Sequence, residues 1–288
     1  MGRLIGAAVL AAPALAMAGP VDLFYERTVM TAANARCELF EPQVAAALTA
    51  ARVQAHGASL RSGVSEEDLD AVARRARAKA DAAPCDSADI TTAAERVKTA
   101  FAGYARLLRM DYPGEISSWQ ADRGTGRAAR WRLAQTVPFG WDKMVFGLAG
   151  RAGGDALMAV GIFADGQEPY AARLVMRDVS RTTGPYLDTR EHDPKRRPAL
   201  AKRLPPAALK VYSAEARSSA GTDLLPKGAS GGWAFRFPAE AAAEIARLDP
   251  REAVAVDFVF AGDRDEVRRA YVEVGDFAAG RAFLLITR

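Results

Sequence analysis

Apolar side chains recur at helical spacing through the first third of the chain. The repeat predicts four helical segments, at about 22–40, 42–56, 65–79 and 88–109. The fourth segment has the clearest apolar stripe, which consists of Ile90, Ala93, Ala94, Val97, Phe101, Tyr104 and Leu108. Many of the apolar residues in these segments are alanines, which bury little area each, so we expect a bundle with a thin core.

The apolar spacing changes to alternate positions after Trp131, which indicates β-strands. Leu157–Phe163 and Ala172–Val179 predict a hairpin, because Asp165-Gly166 supplies a turn between them. A short helix is predicted at Ala239–Leu248. The other predicted strands are Trp233–Phe237, Ala253–Phe260, Val267–Val274 and Phe283–Ile286.

The two patterns together predict an α+β protein. An N-terminal disulfide-linked helical bundle is expected at 20–112, a linker at 113–130, and a mainly antiparallel, β-sandwich-like domain at 131–288. Within the β domain, residues 181–210 contain Thr-Thr-Gly-Pro, Asp-Pro and Pro-Pro and predict a long irregular connection, a kind of segment that is either functional or disordered.

The first 18 residues have the pattern of a cleavable export signal. Arg3 supplies the positive charge, and the apolar run Leu4–Ala16, at about 13 residues, is too short to span a bilayer. Ala16-Met17-Ala18 is a small-x-small cleavage site, so we expect cleavage after Ala18 and a periplasmic or secreted mature chain. No later apolar run predicts a transmembrane helix.

The chain has two cysteines, Cys37 and Cys85. An even pair in an exported protein predicts a disulfide, here between the first helical segment and the start of the fourth. The spacing fits neither a C-x-x-C redox motif nor a zinc knuckle, so the role expected of the bridge is structural.

The net charge of +4 is spread along the chain. This distribution excludes the concentrated basic stripe of a nucleic-acid-binding protein. The densest basic cluster lies in the irregular connection and consists of Lys195, Arg196, Arg197, Lys202 and Arg203. It predicts either docking to an anionic surface or acidic envelope protein, or a solvated loop; interleaved prolines exclude an amphipathic membrane helix.

The segment at about 239–285 has a short helix, a strand containing Val254-Ala255-Val256-Asp257-Phe258, a turn, and a strand leading into Gly275-Asp276-Phe277. In these features it resembles the closing segment of the invasion-associated locus B family of exported β proteins. Family members usually carry cysteines in this domain, whereas this sequence has none after Cys85. The resemblance implies an exported β-sandwich with a stress or interaction role rather than catalysis.

Motifs for nucleophilic, metal and nucleotide chemistry fail their structural requirements. The G-x-S-x-G match at 228–232 lacks the preceding strand, the following helix and any later histidine that a nucleophile elbow needs. His56 and His192 have no partners at metal-ligand spacing. The glycines at 147–154 lack the lysine of a phosphate loop and predict a turn. No catalytic residue, metal or cofactor is therefore predicted.

Carboxylates and tryptophans leave two further alternatives. Asp257, Glu273 and Asp276 fall close together on predicted neighbouring strands, which is compatible with carboxylate catalysis. The competing interpretation is a solvated sheet face of ion pairs, formed by Arg236, Asp257, Arg269 and Glu273. Trp233 falls in the apolar register of its strand, whereas three tryptophans near the linker are compatible with a sugar-stacking platform in a cleft: Trp119, Trp131 and Trp141.

These observations favour a non-catalytic binding or interaction module of the cell envelope. The alternative is a carboxylate-dependent hydrolase that acts on envelope glycan, with its site in a cleft between the helical and β parts. The two hypotheses differ in the site that they require: converging carboxylates with perturbed pKa values for the enzyme, and an exposed binding surface without such a pair for the module.

Overall fold

The computed structural model describes residues 18–124, 126, 128–151, 154–187, 198–262 and 265–286. Apart from Ala18, the predicted export signal lies outside these residues. The architecture is α+β, as predicted, with helices first and antiparallel sheets after them. None of the helices in the described ranges is both long and apolar enough to cross a membrane.

Four α-helices form the N-terminal part: α1 (Pro20–Cys37), α2 (Pro42–Arg61), α3 (Glu66–Ala82) and α4 (Ala88–Tyr104). Helices α3 and α4 begin at serine caps, because the hydroxyl oxygens of Ser65 and Ser87 accept backbone N–H groups of the first turn. The predicted stop of α2 at Gly57 is wrong. The helix runs on to Arg61, and Gly57 lies inside it where a Cβ atom would come within 2.8 Å of the Asp276 carboxylate.

The predicted disulfide between Cys37 and Cys85 is confirmed, with the two Cα atoms 5.6 Å apart. It joins the last residue of α1 to the loop before α4. Near the bridge, Ala33 of α1 and Ile90 of α4 are buried in one cluster with Ala80 of α3. The disulfide therefore links α1 to the start of α4 at this cluster.

Eleven strands in the described ranges form two antiparallel sheets. The seven-stranded sheet has the order β1-β2-β3-β4-β5-β9-β8, with strands β1 (Arg109–Tyr112), β2 (Trp119–Asp122), β3 (Arg130–Phe139), β4 (Asp142–Arg151), β5 (Gly154–Ile162), β8 (Ala216–Ser219) and β9 (Trp233–Arg236). The four-stranded sheet has the order β11-β10-β6-β7, with strands β6 (Pro169–Arg177), β7 (Leu209–Ser213), β10 (Ala253–Phe260) and β11 (Glu266–Glu273).

The main core lies between the two sheets. Phe258 of β10 stacks on Phe139 of β3, with ring centroids 5.8 Å apart, and contacts Phe235 of β9 at 5.7 Å. Two further helices, α5 (Ala239–Ile245) and α6 (Phe277–Leu284), contribute to the same core. Helix α6 also packs against α2 and so joins the helical part to the sheets.

The prediction that one face of the second sheet is solvated is wrong for β10, which lies inside that sheet. All eight residues of β10 are buried, on both faces. The inward positions Val254, Val256 and Phe258 pack as predicted, while Ala255 on the other face is covered by Leu204, which follows the short 3-10 helix Leu200–Arg203. Leu204 and the 3-10 helix of the long connection thus lie over the outer face of the second sheet.

The fourth helix ends at Tyr104, five residues earlier than predicted. The guanidinium of Arg123, at the end of β2, donates hydrogen bonds to the carbonyl oxygens of Ala105, Leu107 and Ile286. These carbonyls lie just beyond the C-terminal ends of α4 and α6, where backbone C=O groups lack partners within the helix. The buried arginine supplies the hydrogen bonds that they would otherwise lack. The chain then forms β1, and β2 lies in what was predicted to be a linker.

Two predicted strand assignments are wrong. Residues 157–163 and 172–179 do not form a hairpin, because β5 pairs with β4 and β9 whereas β6 pairs with β10 and β7. The turn at Asp165-Gly166 carries the chain from one sheet to the other. Residues 283–286 form no strand; Phe277 and Phe283 are buried on one side of α6, and Gly280 allows that helix to approach Leu133 of β3.

Replacing both cysteines by serine will lower the free energy of unfolding. The bridge closes a loop of 48 residues, for which the chain-entropy model gives a contribution of about 4 kcal/mol as an upper value. Urea denaturation of the oxidised wild type and of the Cys37→Ser/Cys85→Ser double variant measures the difference. A change below about 1 kcal/mol would show that the bridge does not constrain the unfolded chain as expected.

Candidate functional site

The predicted basic docking cluster is not brought together as one surface in the described structure. Lys195, Arg196 and Arg197 lie outside the described residues, and their docking role stays a prediction. Lys202 is exposed on the 3-10 helix. Arg203 is only 1% exposed, and its guanidinium donates to the carbonyl oxygens of nearby residues and pairs with a carboxylate, so it belongs to the interior and not to a docking surface.

Each carboxylate considered for catalysis has both oxygens occupied. Asp257 accepts two hydrogen bonds from the Arg269 guanidinium, at 2.5 and 2.7 Å, which confirms the cross-strand pair. Asp276 accepts two from Arg61 of α2, at 2.6 and 2.9 Å. Burial raises the pKa of Asp276, although the Arg61 cation opposes that shift. Both carboxylates therefore act as partners of arginines within the fold.

Glu273 was expected on a solvated face, yet it is fully buried. Its carboxylate accepts three backbone N–H groups of the β1–β2 connection, from Glu115 at 2.6 Å, Ile116 at 2.8 Å and Ser117 at 2.9 Å. Three such hydrogen bonds compensate a buried negative charge. Glu273 thus fastens the connection between β1 and β2 to the other sheet.

A cleft does lie between the helical part and the sheets, as the hydrolase hypothesis requires. Its volume is about 530 Å³, and α2, the end of α5 and the start of α6 line it. Its carboxylates are already paired with cations or with histidine: Glu66 with His56, Asp249 with Arg251, and Asp276 with Arg61. The described cleft therefore presents no pair of unengaged, converging carboxylates.

The G-x-S-x-G segment and His56 both lie within the described residues. The G-x-S-x-G segment is a loop that leads into β9, without the preceding strand of a nucleophile elbow. His56 pairs with Glu66 at 3.1 Å and lies against the ring of Phe24. Within the described ranges, no three histidine, cysteine or acidic side chains are grouped so that they could hold a metal ion. His192 lies outside those ranges.

An apolar concavity lies in the helical bundle, between α1 and α4. We call it the α1–α4 groove; it has a volume of about 750 Å³, within the range of small-molecule sites. It exists because the apolar stripe of α4 is only partly covered. Of the seven predicted stripe positions, only Ile90 and Ala94 are buried, and both belong to the half of α4 nearest the disulfide.

The walls of the α1–α4 groove are apolar and its far end is aromatic. Leu23 and Met30 of α1 face Val97 and Phe101 of α4, and Leu48 of α2 forms part of the floor. The remaining apolar and aromatic lining residues are Tyr25, Val29, Ala51, Ala93, Ala100, Tyr104 and Met110. The Tyr104 hydroxyl lies 2.8 Å from that of Tyr112, which fixes the aromatic end wall against the first sheet.

The charged residues of the groove are mainly basic. Arg27, Lys79 and Arg96 line it together with a single acidic residue, Glu26. The Arg27 guanidinium donates to the Ala51 carbonyl oxygen at 2.7 Å and so lies across the floor. Burial lowers the pKa of Arg27, because its guanidinium has lost part of its hydration.

The four tryptophans do not form one platform. Trp119 is fully buried and donates to the Val274 carbonyl oxygen. Trp131 is partly buried against the outer side of the first sheet, where it donates to the Leu224 carbonyl, whereas Trp233 is partly buried against the main core between the sheets. Trp141 differs from the others because it is 95% exposed.

Comparison with known protein families, with curated proteins and with solved structures finds no match to this chain. The resemblance of residues 239–285 to the invasion-associated locus B family therefore stays a prediction. Sequence reasoning found the apolar stripe of α4 but assigned it to the core. The alanine content indicated a thin core but not an open groove; small residues such as Ala93 do not fill the space beside α1.

Replacing Glu273 by glutamine will destabilise the fold, because an amide nitrogen cannot accept the backbone N–H groups that the carboxylate binds. We expect a loss of about 2 kcal/mol in the free energy of unfolding. Glu266→Gln is the matched control on the same strand, where the side chain is 55% exposed, and should change stability by less than about 0.5 kcal/mol. Equal effects of the two substitutions in urea denaturation would refute the structural role of Glu273.

Proposed function

We propose that this protein is an exported, non-catalytic binding module whose ligand is an anionic amphiphile, held by its hydrocarbon chain in the α1–α4 groove. The observation that carries the proposal is the partly covered apolar face of α4, which borders a groove of about 750 Å³. The disulfide is typical of an oxidising compartment and supports the export that the N-terminal pattern predicts.

The hydrocarbon part of the ligand follows from the groove's walls. Leucine, valine, methionine and phenylalanine side chains leave few hydrogen-bonding groups along its length. Each methylene group moved from water into such an environment contributes about 0.8 kcal/mol. A chain of 16 carbons therefore offers enough apolar surface for micromolar binding, even if only part of it is covered.

The negative charge of the ligand follows from the basic residues of the groove. An anionic head group beside Arg27 and Arg96 would pair with both cations, while Glu26 is the single opposing charge among the lining residues. Because Arg27 is partly buried, water screens such a pair less than it screens a pair at a fully exposed site. The implied role of the resembled family, an interaction role without catalysis, agrees with this proposal.

The hydrolase alternative receives less support. Its cleft exists, but Asp249 and Asp276 are each engaged by an arginine, and Glu273 is engaged by the backbone. A carboxylate that acts as a general acid or nucleophile must reach the substrate with a free oxygen. The α1–α4 groove has no comparable obstacle.

Filling the groove will weaken binding of a fatty acid. Ala100 lines the groove, so in Ala100→Trp the indole will occupy the space of the ligand chain. We expect hexadecanoate to bind the wild type in isothermal titration calorimetry and to bind Ala100→Trp at least about tenfold more weakly, a difference of about 1.4 kcal/mol.

Thr99→Trp is the matched control for this experiment. Thr99 is exposed on α4 and is not among the residues that line the groove. Its substitution should leave the affinity for hexadecanoate within about twofold of the wild-type value. Absence of binding to the wild type, or equal weakening by both substitutions, would overturn the proposed function.

Reversing one basic charge will reduce the preference for an anionic head group. Arg96→Glu should weaken hexadecanoate binding about three- to fivefold, because exposed ion pairs contribute up to about 1 kcal/mol. Binding of the uncharged hexadecanol should not change, and Lys98→Glu, an exposed site outside the groove lining, is the control. Equal losses for the acid and the alcohol would show that Arg96 acts through packing and not through its charge.

A further inference from the structure

A second candidate site lies at the end of the β-sandwich, away from the helical bundle. Trp141 is 95% exposed, whereas each of the other three tryptophans is at least partly buried. Its indole therefore contributes little to the stability of this fold. Tryptophan is the side chain most enriched at positions that dominate recognition, because it offers a large, stiff apolar face.

The backbone holds Trp141 in a fixed position. Strand β3 ends at Phe139 and β4 begins at Asp142, so Gly140 and Trp141 form a two-residue hairpin loop. Gly140 has a φ of 61°, while Trp141 has a negative φ, which is the pattern of a type II′ turn. Phe139 anchors the turn by stacking on Phe258 in the core. A short turn of this kind presents the indole without a flexible loop.

Trp141 forms one wall of a shallow depression of about 680 Å³. The opposite side is polar, and Arg268 is its central residue. The Arg268 guanidinium donates hydrogen bonds to Asp165 at 2.7 Å, Glu266 at 2.8 Å and Asp142 at 3.3 Å. Because these groups hold one another, the polar side of the depression is preorganised for a ligand.

The charges of the depression indicate what class of ligand fits it. Its lining contains three carboxylates and two guanidinium groups, and Arg269 is already paired with Asp257. The Asp165 and Glu266 side chains are 43% and 55% exposed, so their remaining lone pairs can accept hydrogen bonds. The Arg268 guanidinium lowers the pKa of Asp165, which keeps that acceptor ionised. A nearly balanced set of fixed charges favours an uncharged, hydroxyl-rich ligand over a polyanion.

We propose that this depression is a binding site for an uncharged saccharide, with Trp141 as the stacking surface and Asp165 and Glu266 as hydroxyl acceptors. A pyranose ring has one face of C–H groups and a rim of hydroxyl groups. The indole of Trp141 matches the first, and the carboxylates match the second. The site is separate from the α1–α4 groove and does not depend on the function proposed for it.

The test is titration of the full mature chain with uncharged oligosaccharides of glucose, mannose, galactose and N-acetylglucosamine, each of about six units. Tryptophan fluorescence and its quenching by acrylamide are followed, because Trp141 is the tryptophan most accessible to the quencher. At least one oligosaccharide is expected to bind with a Kd of about 1 mM or tighter, a value typical of a weak site, and to protect Trp141 from the quencher.

Variants separate the stacking contact from the hydrogen bonds. Trp141→Ala should weaken that binding, measured by calorimetry, at least about tenfold, and Trp141→Phe should retain part of it. Asp165→Asn, which keeps the shape of the side chain, should weaken it a few-fold. Leu285→Ala removes an apolar side chain that is 71% exposed elsewhere on the molecule, and should have no effect.

Two results would overturn the proposal. One is the absence of saturable binding to every oligosaccharide at about 10 mM, well above the expected Kd. The other is binding that survives Trp141→Ala. Phospholipid vesicles serve as a second probe: loss of vesicle binding in Trp141→Ala, with no response to any oligosaccharide, would assign the tip to a membrane surface and refute the saccharide site.

Discussion

The Cys37–Cys85 disulfide is the constraint on which the shape of the helical part depends. It links α1 to the start of α4, where Ala33 and Ile90 are buried in one cluster with Ala80 of α3. Farther along α4, Val97 and Phe101 are only partly buried and line the groove beside α1. An alanine-rich bundle can be closed at the end that a disulfide holds and open where no larger side chain fills the space. The α1–α4 groove is this open space.

Charged side chains connect the helical part to the sheets. Arg61 of α2 binds Asp276 before α6, and Arg123 binds the carbonyl oxygens at the ends of α4 and α6. Glu273 fixes the β1–β2 connection through three backbone N–H groups. Breaking a buried pair leaves an uncompensated charge, which is strongly destabilising. These carboxylates are thus committed to the fold, which accounts for the absence of free acid groups in the described cleft.

The fold class, the four helices and the disulfide could be predicted from the sequence, because they depend on local spacing and on cysteine pairing. The errors arose where distant residues decide the outcome. Gly57 lies inside α2, close to Asp276 of the β part, and Phe283 belongs to α6, which packs against β3. Strand alternation assigns Glu273 to the surface, and the basic cluster in the irregular connection led to the same expectation for Arg203, whereas partners far along the chain bury both side chains. The exposure of Trp141 likewise depends on which strands its hairpin joins.

The most direct test of the central claim is a methyl NMR titration of the mature protein with hexadecanoate. Binding in the α1–α4 groove predicts saturable shifts at the methyl groups of Leu23, Met30 and Val97, with intermolecular contacts to the ligand chain. The exposed methyl groups of Val211 and Val267, on the second sheet, should stay unchanged. Shifts confined to the sheet residues, or no saturable shift in α1 and α4, would contradict the groove as the binding site.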